Sequence, residues 1–236
     1  MAEVEDRMWY FRSLHDHCHR LLRRRLGPGP VDVLDAGCGT GGLIRHLQDR
    51  EAQWRITGLD ASPFACELAA RRNRGRVVEG SADALPFPEA AFAAVVAADL
   101  LYALDDPGAA LREFRRCLRP GGWAVVNVPA YRWLWSYHDV AVHGRHRFVR
   151  REVAELLHSA GFAVEFCTHW NALLFPLIVA QRKVFGRFSA GGDVHEQAAP
   201  VEAVLRMVMA VETAWLRLGG RWPWGCSILA VGRKPA

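Results

Sequence analysis

The sequence predicts an α/β fold in which a mostly parallel sheet carries helices on both faces. Short apolar runs of strand length alternate along most of the chain with segments of helical apolar spacing, and aspartate, glycine or proline marks the strand ends. Size agrees: 236 residues, 51% hydrophobic and 23% charged, suit one large domain with a buried core, or a core domain carrying an insertion.

The first helix is expected over about Trp9 to Leu26. Phe11, Leu14, Cys18, Leu21 and Leu22 recur at helical spacing and Gly27-Pro28-Gly29-Pro30 ends it, so residues 1–30 read as a cap helix. His15, His17 and His19 alternate along this helix and spread around it, which predicts surface positions. Arg23-Arg24-Arg25 complements the helix dipole. Val31 to Leu34 is a short buried strand, followed by a glycine turn and a helix from about Gly42 to Arg50. Trp54 to Leu59 is a second strand ending at Asp60, and Ser62-Pro63 opens a helix to about Asn73, with proline at a favoured early position. Val77-Val78 is a third strand and Phe92 to Ala97 a fourth, ending near Asp99. A helix from about Gly108 to Cys117 stops at Arg119-Pro120-Gly121-Gly122, ahead of a fifth strand at Trp123 to Val128. Phe148 to Ala160 reads as a helix, Ala163 to Cys167 as a sixth strand and Ser227 to Val231 as the last.

Between the last two strands, residues 170–224 interrupt a core formed by 31–169 and 225–236. Asn171 to about Arg187 and Pro200 to about Leu218 read as a helical hairpin. In its second helix Val201, Val204, Leu205, Val208 and Trp215 oppose Glu202, Arg206, Thr213 and Arg217. With Trp170, Phe175, Leu177, Phe185, Phe188, Trp222 and Trp224 it is expected over the substrate side of the sheet, as an apolar lid, an interface for a homodimer or plain extra core.

Composition excludes several classes. Met1 to Asp6 is acidic and no apolar segment follows, so no signal peptide is expected. The longest apolar run, Ala172 to Ala180, contains Pro176 and falls far short of the ~20 residues of a spanning helix. Six cysteines are scattered without a Cys-x-x-Cys pair, as for reduced thiols of a cytoplasmic protein. The net charge of +5 rests on arginine, with Lys183 and Lys234 the only lysines; coding bias accounts for this as well as a basic partner does. The expectation is a monomer or homodimer touching a membrane at most peripherally, through Arg182, Lys183 and Arg187.

The chemistry centres on Gly37-Cys38-Gly39-Thr40-Gly41-Gly42, which follows a strand and opens a helix. Glycines let the backbone turn sharply and bring N–H groups against a ligand. Alone, this run also satisfies a dinucleotide fingerprint, with Asp60 where a ribose-binding acid belongs. Asp35 immediately before the turn argues otherwise, since it suits an ammonium and repels a pyrophosphate. Asp60 can accept two ribose hydroxyls, and Asp83 after the third strand can accept from an adenine amino group. Three carboxylates at three successive strand ends match a ligand with ammonium, ribose and adenine but no phosphate.

Val33-Leu34-Asp35-Ala36-Gly37-Cys38-Gly39-Thr40-Gly41, Gly58-Leu59-Asp60-Ala61-Ser62, Ala82-Asp83-Ala84-Leu85-Pro86-Phe87 and Leu118-Arg119-Pro120-Gly121-Gly122 resemble, in order and spacing, the motifs of class I S-adenosylmethionine-dependent methyltransferases, in particular the bacterial small-molecule, type 11-like group. The resemblance covers about residues 31–168. It implies a Rossmann-like seven-stranded sheet whose last strand is antiparallel and inserted between strands five and six. It further implies that S-adenosylmethionine is the cofactor. Asp35 and Gly37 would face its methionine end, Asp60 its ribose and Asp83 its adenine, with Ala36, Cys38, Gly39, Gly41, Ala61, Ser62, Ala84, Asp99 and Leu100 also expected to line the cofactor site. Met8-Trp9-Tyr10-Phe11-Arg12 is similar to the aromatic-rich start of a subgroup whose first helix lies over the cofactor, which adds Tyr10 and Arg12. Tyr131 to Phe148 is similar to that subgroup's signature after strand five; the order His143-Gly144-Arg145-His146 differs from its Gly-His pattern and leaves both histidines open.

Methyl displacement requires alignment and exclusion of water, and oxygen or acidic-carbon nucleophiles commonly also need a base. Many relatives begin the segment after strand four with Asp-x-x-Glu-His. Here it reads Asp99-Leu100-Leu101-Tyr102-Ala103, which removes that base and leaves Tyr102 as a hydrogen-bonding or packed residue. His138 or His143 is the expected base or substrate anchor, with Asp139 orienting an imidazole. No acidic pair completes a metal site, so no metal is expected. The expected acceptor is a small-molecule, natural-product or lipid-linked, amphiphilic compound. A nucleic acid is not expected, because Ala98-Asp99-Leu100-Leu101 lacks the Asn-Pro-Pro-Tyr or Asp-Pro-Pro-Tyr run that holds a flipped base. Peptide methylation, a non-catalytic cofactor-binding relative and a nicotinamide dehydrogenase are the competing readings.

Overall fold

Seven strands form one sheet in the order β3-β2-β1-β4-β5-β7-β6. The computed structural model describes residues 8–185 and 198–236, with the side chains of His138, Val184 and Phe185 outside that description. The chain begins with helix α1 (Trp9–Leu26) and then alternates β1 (Asp32–Ala36), α2 (Gly42–Arg50), β2 (Arg55–Asp60), α3 (Pro63–Arg72), β3 (Arg76–Glu79) and β4 (Phe92–Ala98). It continues through α4 (Pro107–Cys117), β5 (Leu118–Pro129), the short α5 (Tyr137–Ala141), α6 (Arg150–Ser159), β6 (Ala163–Trp170), α7 (Phe175–Ala180), α8 (Ala199–Arg217) and β7 (Ser227–Arg233). All pairings are parallel except those of β7, which lies antiparallel between β5 and β6.

Proline early in α3 and α4, behind Ser62 and Asp106 caps whose side chains accept from Ala65 and Ala109 N–H, fixes both helix starts. One sheet face packs on α4 and α6 through Leu111, Phe114, Val153 and Leu157. The other packs on α1, α2 and α8 through Leu14, Leu22, Ile44, Leu47, Met209 and Leu216.

Several elements differ from the sequence expectation. β5 begins at Leu118, pairing with Phe92, and shifts register before Ala94 meets Trp123. The Pro120-Gly121-Gly122 turn is thus a bulge within the strand, with Gly121 at φ +75°. β6 runs on to Trp170 because β7 pairs with it along its whole length. His15 and His17 are buried, not on the surface. Two neighbours cover flanks of α1 that would otherwise be exposed: His46 of α2 lies against His15 at 5.4 Å, and Trp170, with α8 alongside, lies against His17 at 5.0 Å. Burial pushes both imidazoles down to about 3, so they are neutral.

The insertion is likewise altered. Its first helix is short, giving way to a π-helical turn at Gln181–Phe185, and Arg187 and Phe188 lie outside the described residues. The second helix buries Glu202, Met209, Glu212 and Leu216, while Val204, Met207, Val211 and Trp215 stay largely exposed. Of the apolar stripe read from the sequence, Val201, Val204 and Trp215 therefore point outward, while Leu205 and Val208 pack against the core. Glu212 explains the rotation: its carboxylate accepts the backbone N–H groups of Asn171, Ala172 and Leu173, closing the turn after β6. Among the described residues no helix is long and apolar enough to cross a membrane.

Candidate active site

The carboxyl ends of β1, β2 and β4 form the centre of the site. β1 places Asp35, buried, level with Gly58 of β2 and Val96 of β4. The chain then folds across the end of β2, where Gly37 and Cys38 N–H both donate to the Leu59 carbonyl at 2.7 and 2.9 Å. Gly37, Gly39 and Gly41 adopt left-handed φ of 71°, 52° and 84°. A Cβ on Gly37 would lie 2.8 Å from the Leu100 side chain, so Leu100 and the turn share one wall of the site. Ala36 and Cys38 are buried beneath it, and burial pushes the Cys38 thiol up, leaving it protonated.

Asp60 organises this turn as well as presenting charge. Its Oδ2 accepts from Gly39 N–H and its Oδ1 from Ser62 N–H, each at 2.9 Å. Each oxygen has capacity for a second bond. Ala61 and Ser62 are exposed at the start of α3. Asp83 and Ala84 are exposed beyond β3, on a segment held where Glu113 accepts from Leu85 N–H and Arg116 donates to the Leu85 and Phe87 carbonyls. Two carboxylates against a turn of backbone donors suit a cationic, ribose-bearing ligand and oppose a pyrophosphate. The residues present fit S-adenosylmethionine.

Beside the turn lies a polar network that joins five distant segments. Asp99, held at φ +53°, ends β4. It accepts from the Tyr10 hydroxyl at 2.9 Å and from Asn127 Nδ2 at 2.8 Å. The Asn127 carbonyl oxygen accepts from the Trp170 indole at 2.6 Å, and Tyr10 stacks on that indole with centroids 5.2 Å apart. The Tyr10 hydroxyl also lies 3.3 Å from Ser227 Oγ. Burial pushes the Asp99 carboxyl up to about 6, against the lowering effect of its two donors, and pushes the Tyr10 phenol well above its ordinary value. No sequence motif marks Asn127 or Ser227 here, and the sequence places Trp170 in the insertion rather than against Tyr10 and Asn127. A lone asparagine within the apolar run Val125 to Val128 is the signal that could have found Asn127. Arg12, one turn along α1, is exposed.

Among the described side chains, His143 and Asp139 do not come together as a base and its orienting acid. Asp139 is buried in a two-pronged pair with Arg147, at 2.7 and 3.1 Å, and accepts from Ser136 N–H at 2.8 Å. Among the described side chains it meets no imidazole. Arg147 also donates to the Ala130 carbonyl, so the pair clamps the loop onto the end of β5. His143 is exposed at φ +56°, His146 lies 2.7 Å from Glu152, and the His138 side chain is outside the described residues. Tyr102 packs beneath this loop: its carbonyl accepts from Arg145 and His146 N–H, its ring contacts Gly144, and burial pushes its phenol up.

A different group gathers at the mouth. Tyr131, at φ +61°, stacks between Trp133 and His169, with centroids 5.5 and 5.3 Å away. Its hydroxyl lies 3.1 Å from His169 Nε2, and Phe175 of α7 closes the far side at 5.7 Å. His169 is buried, which lowers its pKa. The sequence places Phe175 on the substrate side but gives no hint of His169, which lies in the part of β6 beyond Cys167 that only pairing with β7 reveals. No three metal-ligating side chains cluster among the described residues.

Residues 34–126 match the methyltransferase domain family. The chain is 29% identical to malonyl-acyl-carrier-protein O-methyltransferase of Enterobacter lignolyticus over 81% of this chain and 77% of that one. It is 35% identical to demethylmenaquinone methyltransferase of Thermotoga maritima over 45% of this chain, a match spanning about half (47%) of that relative. Among solved structures, a Haloferax volcanii methyltransferase in complex with its activator superposes with a TM-score of 0.68 at 23% identity, over 100% of this chain and 92% of that one. Geranyl diphosphate C-methyltransferase of Streptomyces coelicolor superposes at 0.61 with 16% identity, over 93% and 80%; both of these show likeness of fold.

Proposed function

The chain belongs to the class I S-adenosylmethionine-dependent methyltransferases, and from that premise we propose that it methylates a small, amphiphilic acceptor with an apolar or aromatic body. S-adenosylmethionine supplies an electrophilic methyl group on a sulfonium. Asp35 and the turn through Gly41 would receive its amino-acid end, Asp60 the ribose and Asp83 the adenine. Tyr10, Asp99 and Leu100 would form the wall nearest the acceptor.

The observation that carries the acceptor reading is the aromatic wall of Tyr131, Trp133, His169 and Phe175. Stacked rings offer an apolar surface to a ring or chain, and the Tyr131–His169 pair adds one polar contact for orientation. The wall excludes water and positions the nucleophile, the main contribution a protein makes to methyl displacement. Some relatives bear names that place quinone-type rings or a carrier-linked acid as acceptors, and a ring of the first kind can stack on this wall. No role as base is assigned to His143, which the geometry leaves in solvent.

The test measures release of S-adenosylhomocysteine with a panel of hydroquinones, phenols, acyl thioesters with a free carboxylate, peptides and transfer RNA. Turnover is expected with a member of the first three classes. Trp133→Ala is expected to raise KM for that acceptor about tenfold while leaving cofactor affinity unchanged, the loss of one aromatic contact surface. Turnover confined to RNA or peptides refutes the proposal.

A further inference from the structure

A second concave site lies away from the cofactor end of the sheet. The C-terminal turns of α1 and α8 meet beside β6 and enclose a cleft of about 370 Å³ lined by Arg20, Arg24, Arg25, Arg221, Glu165 and Phe166, among others. Glu165 precedes Trp170, the β6 member of the Asp99 network, by five residues, about 16 Å along a strand.

The cleft holds more positive charge than the fold requires. Arg24 donates to the Arg217 carbonyl at 2.8 Å and Arg25 to the Leu21 carbonyl at 3.0 Å, so these two serve the carbonyl ends of α8 and α1. Each helix end offers about half a negative charge. Arg20 and Arg221 have no such duty. Arg20 is half-buried, its Nη2 lies 3.3 Å from Nδ1 of His17, and its Nε has no partner among the described residues. His17 is neutral, and because a guanidinium only donates, its Nδ1 is the acceptor of this bond. Burial, then the neighbouring Arg24, Arg217 and Arg25, lowers Arg20 to about 10, as expected of a cation among cations. Arg221 rests over the Phe166 ring at 5.8 Å. With Arg217 beside the rim, five guanidiniums face one lining carboxylate, Glu165, and two helix ends. The surplus is about three positive charges.

We propose that this cleft binds a phosphate-bearing ligand of two or more negative charges, held by Arg20, Arg24 and Arg221 above Phe166. Guanidinium forks match phosphate oxygens in pairs, and a second phosphate oxygen meets the charge that a single carboxylate leaves uncompensated. The same chemistry is available from a soluble phosphate ester or pyrophosphate and from the headgroup of an anionic phospholipid; Trp215 and Leu218, exposed close by on the end of α8, make the second source worth a separate arm.

The experiment is calorimetric titration of the full chain with pyrophosphate at low salt, together with co-sedimentation on vesicles of phosphatidic acid in phosphatidylcholine and on phosphatidylcholine alone. Pyrophosphate is expected to bind, and Arg20→Gln and Arg221→Gln each to weaken it about tenfold, one charge-assisted hydrogen-bond pair. S-adenosylhomocysteine affinity should stay within about twofold, showing that both variants are folded. Capture by phosphatidic acid vesicles that pyrophosphate displaces and both variants lose identifies the lipid source; pyrophosphate binding without capture identifies a soluble one. No binding in either arm, or binding that both variants retain, overturns the proposal. So does preferential retention of duplex DNA that pyrophosphate does not displace.

Discussion

Gly37 shows how narrowly one backbone position is constrained. It needs φ of +71° and the absence of a Cβ facing Leu100 at 2.8 Å. Alanine there costs about 1–2 kcal/mol for the left-handed conformation alone, before Leu100 must move. Gly37→Ala is therefore expected to weaken S-adenosylmethionine binding more than tenfold by calorimetry, with an unchanged circular dichroism spectrum. Asp99 gives the residue scale its pH signature. Its folded pKa, about 6, lies above the ordinary carboxylate value, so its contribution to stability is complete below about pH 4 and lost as pH rises through 6. A cationic ligand beside it prefers the ionised form. Cofactor affinity is expected to rise several-fold between pH 5 and 7.5, and Asp99→Asn to bind more weakly at pH 7.5 with a flat profile. A sloping profile in the variant would assign the dependence to another group.

At the scale of elements, Glu212 decides how α8 docks. A buried carboxylate accepts three consecutive backbone N–H groups after β6, and burial raises its pKa despite those donors. Glu212→Ala strands three amides, at an expected cost of about 2–4 kcal/mol in urea unfolding, with Glu212→Gln intermediate. The Asp139–Arg147 pair plays the corresponding part for the loop after β5. The sequence reads Asp139 as part of a catalytic loop and gives Glu212 no sign of burial, because helical periodicity reports where apolar residues fall but not which charged ones find buried donors.

For the whole molecule, α1 is the common member: its first turn supplies Tyr10 to the site, its middle buries His15 and His17, and its end lines the arginine cleft. The two neutral histidines make the protein acid-sensitive. Their folded pKa values are depressed, so the stability they confer is present above about pH 6.5 and lost as pH falls. Each contributes a slope of about 1.4 kcal/mol per pH unit, and Asp99 offsets one of them between about pH 4 and 6. Urea midpoints measured from pH 7 to 4 should therefore fall, and His15→Phe with His17→Phe should flatten the curve. The sequence by itself determined the sheet with its flanking helices, the glycine turn and the three strand-end aspartates, since these depend on local spacing and on residue types that only a few backbone geometries accept. Tertiary structure decided what distance along the chain conceals: the Tyr10–Asp99–Asn127–Trp170 network spans 160 residues. It also decided the burial of the α1 histidines and the outward rotation of part of the α8 apolar face. Long-range hydrogen bonds and desolvation set those outcomes, and neither leaves a period in the sequence.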